Sequence, residues 1–375
     1  MINILLFAIC QIPLTHEGDI QAVTGDRVKD LDQALPAMMS ELHINTAGFA
    51  LIKSHQVQWQ RQFGQQSPGV TADAKTLFNV ASITKTVTAE TVLRLVAQEK
   101  ISLDEPMSAY WVDPDVANDP QHVKLTPRMA LTHTTGFANW RYFSDDGKLK
   151  FIHEPGTTFG YSGEGIRYLT TFIEKKLGVR FEELVVSLVF EPLGMQDAFV
   201  SVQKAIFPRI AKPLDADGTF YGYYCHPSGY CRQEGDFSPT GDMVITVSDY
   251  AKFFLASMRG EGLSQELQEA RNRIHVTAYD IDCKGANDVI CPKSVGYGLG
   301  WNLSEWEGGR CIGHSGSDWS MVSLAYYYQN SGDGLIIFFN APNKAGIAGM
   351  VEALKLLDPD SPKLLEYLAR RDRGN

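Results

Sequence analysis

The chain has 375 residues, of which 44% are hydrophobic and 21% are charged, proportions typical of a globular protein with a large core. The formal net charge is −10 and no basic patch is present, so we expect no nucleic-acid partner. No internal stretch is long and apolar enough to span a bilayer, so we expect no stable membrane span.

The N-terminus is a candidate leader. Residues 1–20 begin with an apolar run that is typical of the hydrophobic region of a secretory signal. The run lacks Lys and Arg, and no clear small-residue cleavage site follows it, so a cytoplasmic protein stays an alternative. We predict a periplasmic or secreted protein, with residues 1–20 as signal peptide or leader.

The cysteines include two closely spaced pairs. Cys225 and Cys231 bracket one short loop, and Cys283 and Cys291 bracket another, which favours two disulfides in an oxidising compartment. Zinc binding is the competing interpretation, but the chain contains no Cys-x-x-Cys pair and no His-Glu-x-x-His. We therefore expect no metal and no cofactor.

The first predicted elements alternate between helix and strand. Leucine and methionine repeat at helical spacing over residues 28–42 and predict a helix. Residues 46–52 and 57–63 are strand-like runs around a polar turn, which predicts a β-hairpin. A short apolar run at residues 77–80 then leads into a helix that is predicted to end near residue 100.

Ser82 lies at the turn into this helix. Apolar residues from Ala89 onwards recur at i, i+3, i+4 and i+7, whereas Glu90 and Arg94 occupy the opposite face. Lys85 follows Ser82 by three residues, so the two side chains share a face with Cβ atoms roughly 5–6 Å apart. A buried neutral lysine can take the proton of a serine hydroxyl, and a helix N-terminus favours negative charge there. Ser82 and Lys85 are therefore predicted as nucleophile and base.

Residues 106–289 are rich in short helices and loops. A helix is predicted around residues 166–177 with Gly178 as its C-cap, and another over residues 181–190. Residues 215–238 form a long loop rich in aromatic residues and glycine. Loops of this length are usually functional or disordered, and the aromatic content argues against disorder. We interpret the loop either as a structural flap or as a wall of the pocket.

From residue 296 onwards the pattern changes to strands separated by glycine-rich turns. The predicted strands cover residues 296–301, 310–314, 320–328 and 334–340, and a helix follows over residues 344–357. Strand-rich ends around a helical middle predict an α+β fold with one sheet assembled from both ends of the chain.

This arrangement predicts two lobes. We expect an α/β sheet lobe from residues 21–105 and 290–375, and an inserted, mostly helical lobe with loops from residues 106–289. An active site would then lie in the cleft between the lobes.

Five sequence elements occur in an order that points to one family. They are Ser82-Ile83-Thr84-Lys85, Leu-Thr-His-Thr-Thr-Gly-Phe at residues 131–137, Pro155-Gly156 leading into Tyr161-Ser162-Gly163, Gly-Tyr-Gly-Leu-Gly-Trp at residues 296–301, and His314-Ser315-Gly316. Over about residues 30–357 the chain resembles the serine β-lactamase and penicillin-binding-protein superfamily, in its class C and esterase-like branch. The resemblance implies a β-lactamase/transpeptidase-like fold with a central antiparallel sheet.

The resemblance also implies roles for individual residues. Ser82 matches the acylated nucleophile, Lys85 the base, and Tyr161 the tyrosine of the Tyr-x-Asn motif, which moves protons between nucleophile and leaving group. The segment His314-Ser315-Gly316 stands where many members carry Lys-Thr-Gly on the strand that edges the pocket, and would bind substrate. The backbone N–H groups of Ser82 and Ser317 would form the oxyanion hole.

Two positions depart from the family pattern. Gly163 replaces the asparagine of Tyr-x-Asn and removes an amide that would hold the substrate. His314 replaces the lysine of Lys-Thr-Gly and removes a permanent cation, because histidine is charged only below about pH 6.5. Ser315 keeps a hydroxyl where threonine usually stands. Both departures weaken the case for a dedicated β-lactamase.

We therefore predict a serine hydrolase that acts through an acyl-enzyme on an ester, an amide or a D-amino-acid peptide bond. A true class C β-lactamase or a D-alanyl-D-alanine carboxypeptidase is the alternative within this chemistry. A non-catalytic penicillin-recognising binding protein is the alternative from another class, because fold does not fix function. The expected partner is a small-molecule or peptide substrate, and we expect a monomer.

Two other serine patterns compete with Ser82. Residues 313–317 nearly match the Gly-x-Ser-x-Gly nucleophile elbow, but that elbow requires a helix directly after the serine, and residues 321–328 are strand-like. Residues 201–204 repeat the Ser-x-x-Lys spacing without a long amphipathic helix after them. We attribute both matches to chance.

Overall fold

The computed structural model describes residues 18–225, 231–281, 283 and 289–374, so the predicted leader at residues 1–20 lies outside the described residues except for its last three positions. The helices are α1 (Gly25–Glu41), α2 (Thr84–Ala97), α3 (Pro127–Leu131), α4 (Gly163–Leu177), α5 (Phe181–Val185), α6 (Val247–Met258), α7 (Gln265–Arg271), α8 (Asn343–Leu357) and α9 (Pro362–Asp372).

The strands are β1 (Thr46–Lys53), β2 (Gln56–Ser67), β3 (Val70–Thr71), β4 (Phe78–Asn79), β5 (Ala198–Phe199), β6 (Val244–Ile245), β7 (Val276–Tyr279), β8 (Ser294–Tyr297), β9 (Asn302–Trp306), β10 (Gly309–Asp318), β11 (Met321–Tyr328) and β12 (Gly334–Asn340).

One antiparallel sheet joins the two ends of the chain. In the described ranges it has nine strands in the order β3-β2-β1-β12-β11-β10-β9-β8-β7. β1 pairs with β12 along its length, with Thr46 opposite Asn340 and Phe49 opposite Ile337. The predicted α+β fold, with a sheet built from both ends of the chain, is confirmed, as is the hairpin that β1 and β2 form.

The sheet separates two apolar cores because side chains along a strand alternate between its faces. On β1, Phe49 and Leu51 pack with α1, α8 and α9 on one face. Ala50 and Ile52 pack with α2, α4 and α6 on the other face. The sheet therefore carries the helices of the middle of the chain on one side and the terminal helices on the other.

The sheet differs from the sequence prediction at its β7 edge. Residues 296–301 were predicted as one strand, but β8 ends at Tyr297, a turn follows, and β9 begins at Asn302. In this turn Gly300 has a φ of +82°, and a Cβ there would lie 2.1 Å from the Ala89 Cβ of α2. The glycines therefore allow a hairpin turn against α2. β7 belongs to the sheet although its residues precede residue 290, where the sheet lobe was predicted to resume. The helix α9 was not predicted.

α2 is the central helix of the fold, and nearly all of its residues are buried. Glu90 and Arg94, which were predicted on the face opposite the apolar residues, are both buried. Glu90 accepts hydrogen bonds from Arg271 at 2.7 Å and from Arg94 at 3.1 Å. Buried charges need such partners, so the polar stripe of α2 is an internal ion-pair network rather than a solvated face.

A second, small sheet fixes the segment ahead of Ser82. In the described residues it has three strands in the order β4-β6-β5, with Phe78 opposite Ile245 and Asn79 opposite Val244. β4 is therefore held to the middle of the chain just before the turn that carries Ser82.

Candidate active site

Ser82 projects from a tight turn between β4 and α2. Residues Ala81–Ile83 form one 3₁₀ turn, and Ala81 has a φ of +46°, a conformation that costs a non-glycine residue on the order of 1 kcal/mol. The Asn79 carboxamide oxygen accepts a hydrogen bond from the Ala81 N–H at 2.9 Å, and the Val80 carbonyl accepts one from the Ser323 hydroxyl at 2.7 Å. These bonds hold the strained turn and aim Ser82 away from the core.

Lys85 lies directly behind Ser82. Its Nζ donates to Ser82 Oγ at 3.1 Å and to the Thr240 carbonyl at 2.9 Å, and the side chain is 2% exposed. The spacing of three residues on one helix sets the first contact, whereas Thr240 arrives from a loop 155 residues further along the chain. A hydroxyl and an amine at this distance can exchange a proton.

Tyr161 covers the pair from the side of α4. The Lys85 Nζ lies 5.0 Å from the centre of the Tyr161 ring, and the ring is half-buried. Among the described residues, the Tyr161 hydroxyl makes no hydrogen bond to Ser82 or Lys85. The structure thus brings together the three side chains predicted from the sequence, with the phenol near the amine but not bonded to it.

Two buried histidines complete the wall around Lys85. The His133 ring is 4.4 Å from the Tyr161 ring, and its Nδ1 accepts a hydrogen bond from the Ser162 N–H at 3.2 Å. Burial, with a further effect of the nearby Lys85, holds the pKa of His133 well below its ordinary value. His133 belongs to the 131–137 run, and no role was predicted for its side chain.

His314 is also neutral, in contrast to the expectation that it gains charge below about pH 6.5. Burial and then Lys85 lower the pKa of His314 to about 3. The His314 Nδ1 lies 2.6 Å from the Ser315 carbonyl, which can only accept, so this nitrogen carries the proton. Nε2 then accepts from the Tyr297 hydroxyl at 3.3 Å. His314 therefore does not replace the missing lysine as a cation.

β10 passes close to the Ser82 turn. A Cβ on Gly316 would lie 2.4 Å from the Val80 carbonyl oxygen and 2.9 Å from the Ser82 nitrogen, so only glycine allows this approach. The next residue, Ser317, lines the cavity, and its hydroxyl accepts a hydrogen bond from the Asn343 amide at 2.5 Å. The backbone of β10 is therefore held against the turn that presents Ser82.

The position of Gly163 is filled by another side chain. A Cβ on Gly163 would lie 2.5 Å from the Trp140 ring, and the Asn139 side-chain oxygen accepts a hydrogen bond from the Gly163 N–H at 2.9 Å. Trp140 thus occupies the space into which an asparagine side chain at residue 163 would project. The sequence gives no sign of this contact.

The cavity above Ser82 has a volume of about 1520 Å³. The loop predicted as a flap or a pocket wall supplies part of its lining, including Arg232 and Phe237. Arg232 forms an ion pair with Asp242, and burial raises the pKa of the Asp242 carboxyl to about 6 despite this cation. The described part of the loop from Arg232 onwards therefore contributes to the wall of the cavity, and the ion pair between Arg232 and Asp242 was not predicted.

The competing serine patterns do not lead to a nucleophile elbow. Residues 313–317 all lie within β10, and β11 follows after a short turn rather than a helix. Residue 201 lies in an irregular segment, and Lys204 begins a short 3₁₀ helix. Neither pattern has the geometry found at Ser82.

Both cysteine pairs are joined in the structure. Disulfides link Cys225 to Cys231 and Cys283 to Cys291, and Cys311 is a buried free thiol. The described residues contain no group of three or more His, Cys, Asp and Glu side chains arranged to hold a metal ion. None of the helices in the described ranges has the length and apolar character that crossing a bilayer requires.

Comparison with known proteins agrees with this geometry. The model of the Beta-lactamase family matches residues 31–356. The chain belongs to the β-lactamase family. It is accordingly an enzyme of the serine hydrolase type, and its fold is that of the β-lactamases and penicillin-binding proteins.

Relatives within the β-lactamase family differ in the activities that their names state. Penicillin-binding protein 4 of Amycolatopsis lactamdurans is 23% identical over 278 residues, which cover 70% of this chain and 72% of that protein. Esterase EstB of Burkholderia gladioli is 30% identical over 161 residues, which cover 35% of this chain and 41% of the esterase. The D-amino acid amidase of Ochrobactrum anthropi SV3, complexed with L-phenylalanine, has a TM-score of 0.68 and 21% identity, with 87% and 98% of the chains covered.

Proposed function

We propose that the protein hydrolyses esters or amides through an acyl-enzyme on Ser82, with Lys85 as the general base. The observation that carries this proposal is the 3.1 Å contact between Ser82 Oγ and Lys85 Nζ at the floor of a large cavity. The names of the esterase and of the amidase among its relatives support both bond types.

The proposed reaction starts with a proton transfer. Ser82 Oγ attacks the substrate carbonyl while its proton passes to Lys85 in the neutral form of the amine. Collapse of the tetrahedral intermediate breaks the bond to the leaving group, which takes a proton by way of Tyr161. Water then attacks the acyl group, and the acid product leaves with Ser82 restored. For Tyr161 to take part, its hydroxyl must move into hydrogen-bonding distance when substrate binds.

The oxyanion of this intermediate would accept hydrogen bonds from the backbone N–H groups of Ser82 and Ser317. The close approach of β10 at Gly316 supports this arrangement, because it holds the backbone around Ser317 next to the Ser82 turn. Fixed donors that face a developing negative charge stabilise the transition state without reorganisation.

We further propose that small uncharged esters are better substrates than cephalosporins. A β-lactam would find no asparagine amide to bind it, because residue 163 is glycine and Trp140 fills the space beside it. It would also meet a neutral His314 in place of a cation. Loss of a hydrogen-bonding group in a site costs on the order of 1–3 kcal/mol, so two losses would lower β-lactam turnover by roughly a hundredfold or more. Penicillins would then acylate Ser82 slowly or stoichiometrically.

A hydrolysis panel tests this proposal. Nitrocefin, short-chain nitrophenyl esters and D-alanyl peptides are offered to the wild type and to Ser82→Ala, and Ser82 is labelled in parallel with a fluorophosphonate. We expect ester hydrolysis with the highest kcat/KM, covalent label on Ser82, and loss of turnover in Ser82→Ala with Tm within a few degrees.

Other outcomes of the panel point to other functions. Faster turnover of nitrocefin than of any ester favours a class C β-lactamase, and preferred cleavage of D-alanyl peptides favours a carboxypeptidase. Labelling by penicillin without turnover of any substrate favours the binding protein. If Ser82→Ala retains more than a few per cent of the activity, Ser82 is not the nucleophile.

We also propose that the enzyme is periplasmic or secreted and acts as a monomer. The two short-loop disulfides support export, because such bonds persist in oxidising compartments. The proposed reaction needs no residue from a second subunit, and the monomer stays a proposal. Fractionation of expressing cells and light scattering of the purified protein test the two statements.

A further inference from the structure

The C-terminal helix α9 contributes to the cavity although it lies beyond the residues that match the β-lactamase family. The family match ends at residue 356, and α9 follows at Pro362–Asp372. Three charged side chains of α9, Lys363, Glu366 and Arg370, line the cavity that also contains Ser82. One end of the cavity is therefore formed by a helix that the family pattern does not include.

Lys363 anchors α9 to the sheet. Its side chain is buried, and its Nζ donates to the Asn302 side-chain oxygen at 2.6 Å, to Ser304 at 3.3 Å and to the Glu366 carboxylate at 2.6 Å. These three acceptors use the three donors of the ammonium group. The charges of Lys363 and Glu366 therefore offset each other, and this pair serves to position the helix.

Arg370 is a cation of a different kind. Its guanidinium carbon lies 5.0 Å from the centre of the Tyr367 ring, and the side chain is half-buried. In the described part of the chain, no carboxylate lies within ion-pair distance of Arg370. The neighbouring Arg371, in contrast, pairs with Asp372 at 3.1 Å and does not line the cavity. A guanidinium that is stacked on an aromatic ring is pre-organised to bind a carboxylate.

Tyr367 connects Arg370 to the edge of β10. Its ring is buried, which raises the pKa of the Tyr367 phenol to about 12, and hydrogen bonding with Ser315 and Arg370 acts in the opposite direction. The Tyr367 hydroxyl donates to the Ser323 carbonyl of β11 at 3.4 Å, and the Arg370 guanidinium stacks on the Tyr367 ring. Ser315 also lines the cavity, and its backbone carbonyl accepts a hydrogen bond from the neutral His314 ring. Arg370 and Ser315 therefore line the same cavity, and both lie near Tyr367.

We propose that Arg370 and Ser315 form a carboxylate subsite, which binds a carboxylate that the substrate carries away from its scissile bond. This inference rests on the proposed function of the cavity. The subsite supplies from α9 the positive charge that His314 does not supply from β10.

Matched pairs of substrates test the subsite. para-Acetoxybenzoate and para-acetoxybenzamide differ in charge on the leaving group, and para-nitrophenyl hemiglutarate and para-nitrophenyl butyrate differ in charge on the acyl group. In at least one pair, we expect Arg370→Gln to lower the acid-to-neutral ratio of kcat/KM by about tenfold or more, mainly through KM. Arg370→Lys should retain part of the ratio, and the matched control Arg371→Gln should leave it unchanged.

Equilibrium binding separates the subsite from the proposed reaction. In the Ser82→Ala background, the Kd of at least one of the two charged compounds should rise about tenfold on Arg370→Gln, and that rise should shrink as salt is added. If neither the kcat/KM ratio nor either Kd responds to Arg370→Gln, the subsite does not exist. If the Kd responds but the wild type hydrolyses neither pair, the proposed hydrolysis is wrong and the subsite stands.

Discussion

Two walls of the cavity follow the family pattern to different degrees. The reaction wall, which consists of Ser82, Lys85 and Tyr161, carries the residue types that the β-lactamase pattern requires. The recognition wall, which consists of Trp140 with Gly163 and of His314, lacks both the amide and the cation of that pattern. In the proposed reaction, proton transfer and substrate binding therefore depend on separate groups.

The difference shows which constraints each wall has to satisfy. The reaction wall needs two side chains at bonding distance, and the 3₁₀ turn that carries Ser82 provides them together with the first turn of α2. The recognition wall is assembled from β10, the start of α4 and the loop that carries Trp140. Space that a smaller residue leaves in one segment can therefore be occupied by a side chain from another segment, as Trp140 does beside Gly163. Substitutions in the two walls should accordingly have different kinetic signatures.

The largest effect is expected in the reaction wall. Lys85→Arg keeps a positive charge but cannot act as a base, because arginine stays protonated in proteins. We expect Lys85→Arg and Lys85→Ala each to lower kcat by roughly a hundredfold or more, as for loss of a general base. Steady-state ester hydrolysis measures this. If Lys85→Arg keeps substantial activity, Lys85 has only an electrostatic or structural role.

The recognition wall should respond to a coupled pair of substitutions. Gly163→Asn alone forces the Trp140 ring to move, which should destabilise the protein by about 1–3 kcal/mol. Trp140→Ala/Gly163→Asn provides room for the amide, and we expect its nitrocefin-to-ester ratio of kcat/KM to exceed that of Trp140→Ala by about tenfold. Thermal unfolding and the two kcat/KM values are the measurements. An unchanged Tm in Gly163→Asn would show that Trp140 does not fill this space.

The lowered pKa of His314 should make the free energy of unfolding depend on pH. Its pKa is lowered to about 3 in the folded protein from an ordinary value of 6.5, so the unfolded chain binds more protons below pH 6.5. The stability that the neutral ring contributes is present above pH 6.5 and is lost as the pH falls towards 3. Between pH 7 and pH 5, urea unfolding should show a loss of about 2 kcal/mol in the wild type relative to His314→Gln.

A constant difference between the two proteins from pH 7 to pH 5 would mean that His314 titrates normally in the fold. That result would also restore His314 as a cation of the recognition wall at low pH. The comparison between the two walls would then hold only near neutral pH.

The smallest effect concerns the disulfide next to Arg232. Cys225–Cys231 precedes Arg232, which lines the cavity, so Cys225→Ser/Cys231→Ser should raise KM more than it lowers kcat. We expect a decrease in Tm of a few degrees, because the bond closes only a short loop. Mass spectrometry of unreduced peptides from exported protein should find both bridges. Free thiols at all four positions would exclude the pairing.

The sequence by itself determined the parts of the site that depend on local spacing. The contact between Ser82 and Lys85 follows from three residues along one helix, and the hairpin of β1 and β2 follows from alternating side chains around a polar turn. The order of five motifs placed the chain in its family. Local spacing fixes such features because backbone geometry alone sets which neighbouring side chains can meet.

Only the tertiary structure decided the rest. Glu90 is buried because Arg271 reaches it from 181 residues away, Trp140 fills the space beside Gly163, and His314 stays neutral because it is enclosed next to Lys85. α9 lies against the cavity because Lys363 binds Asn302 of β9, and no local sequence pattern predicts this contact. Burial, charge and the room for a side chain depend on segments that are distant in the chain, so local spacing alone could not predict them.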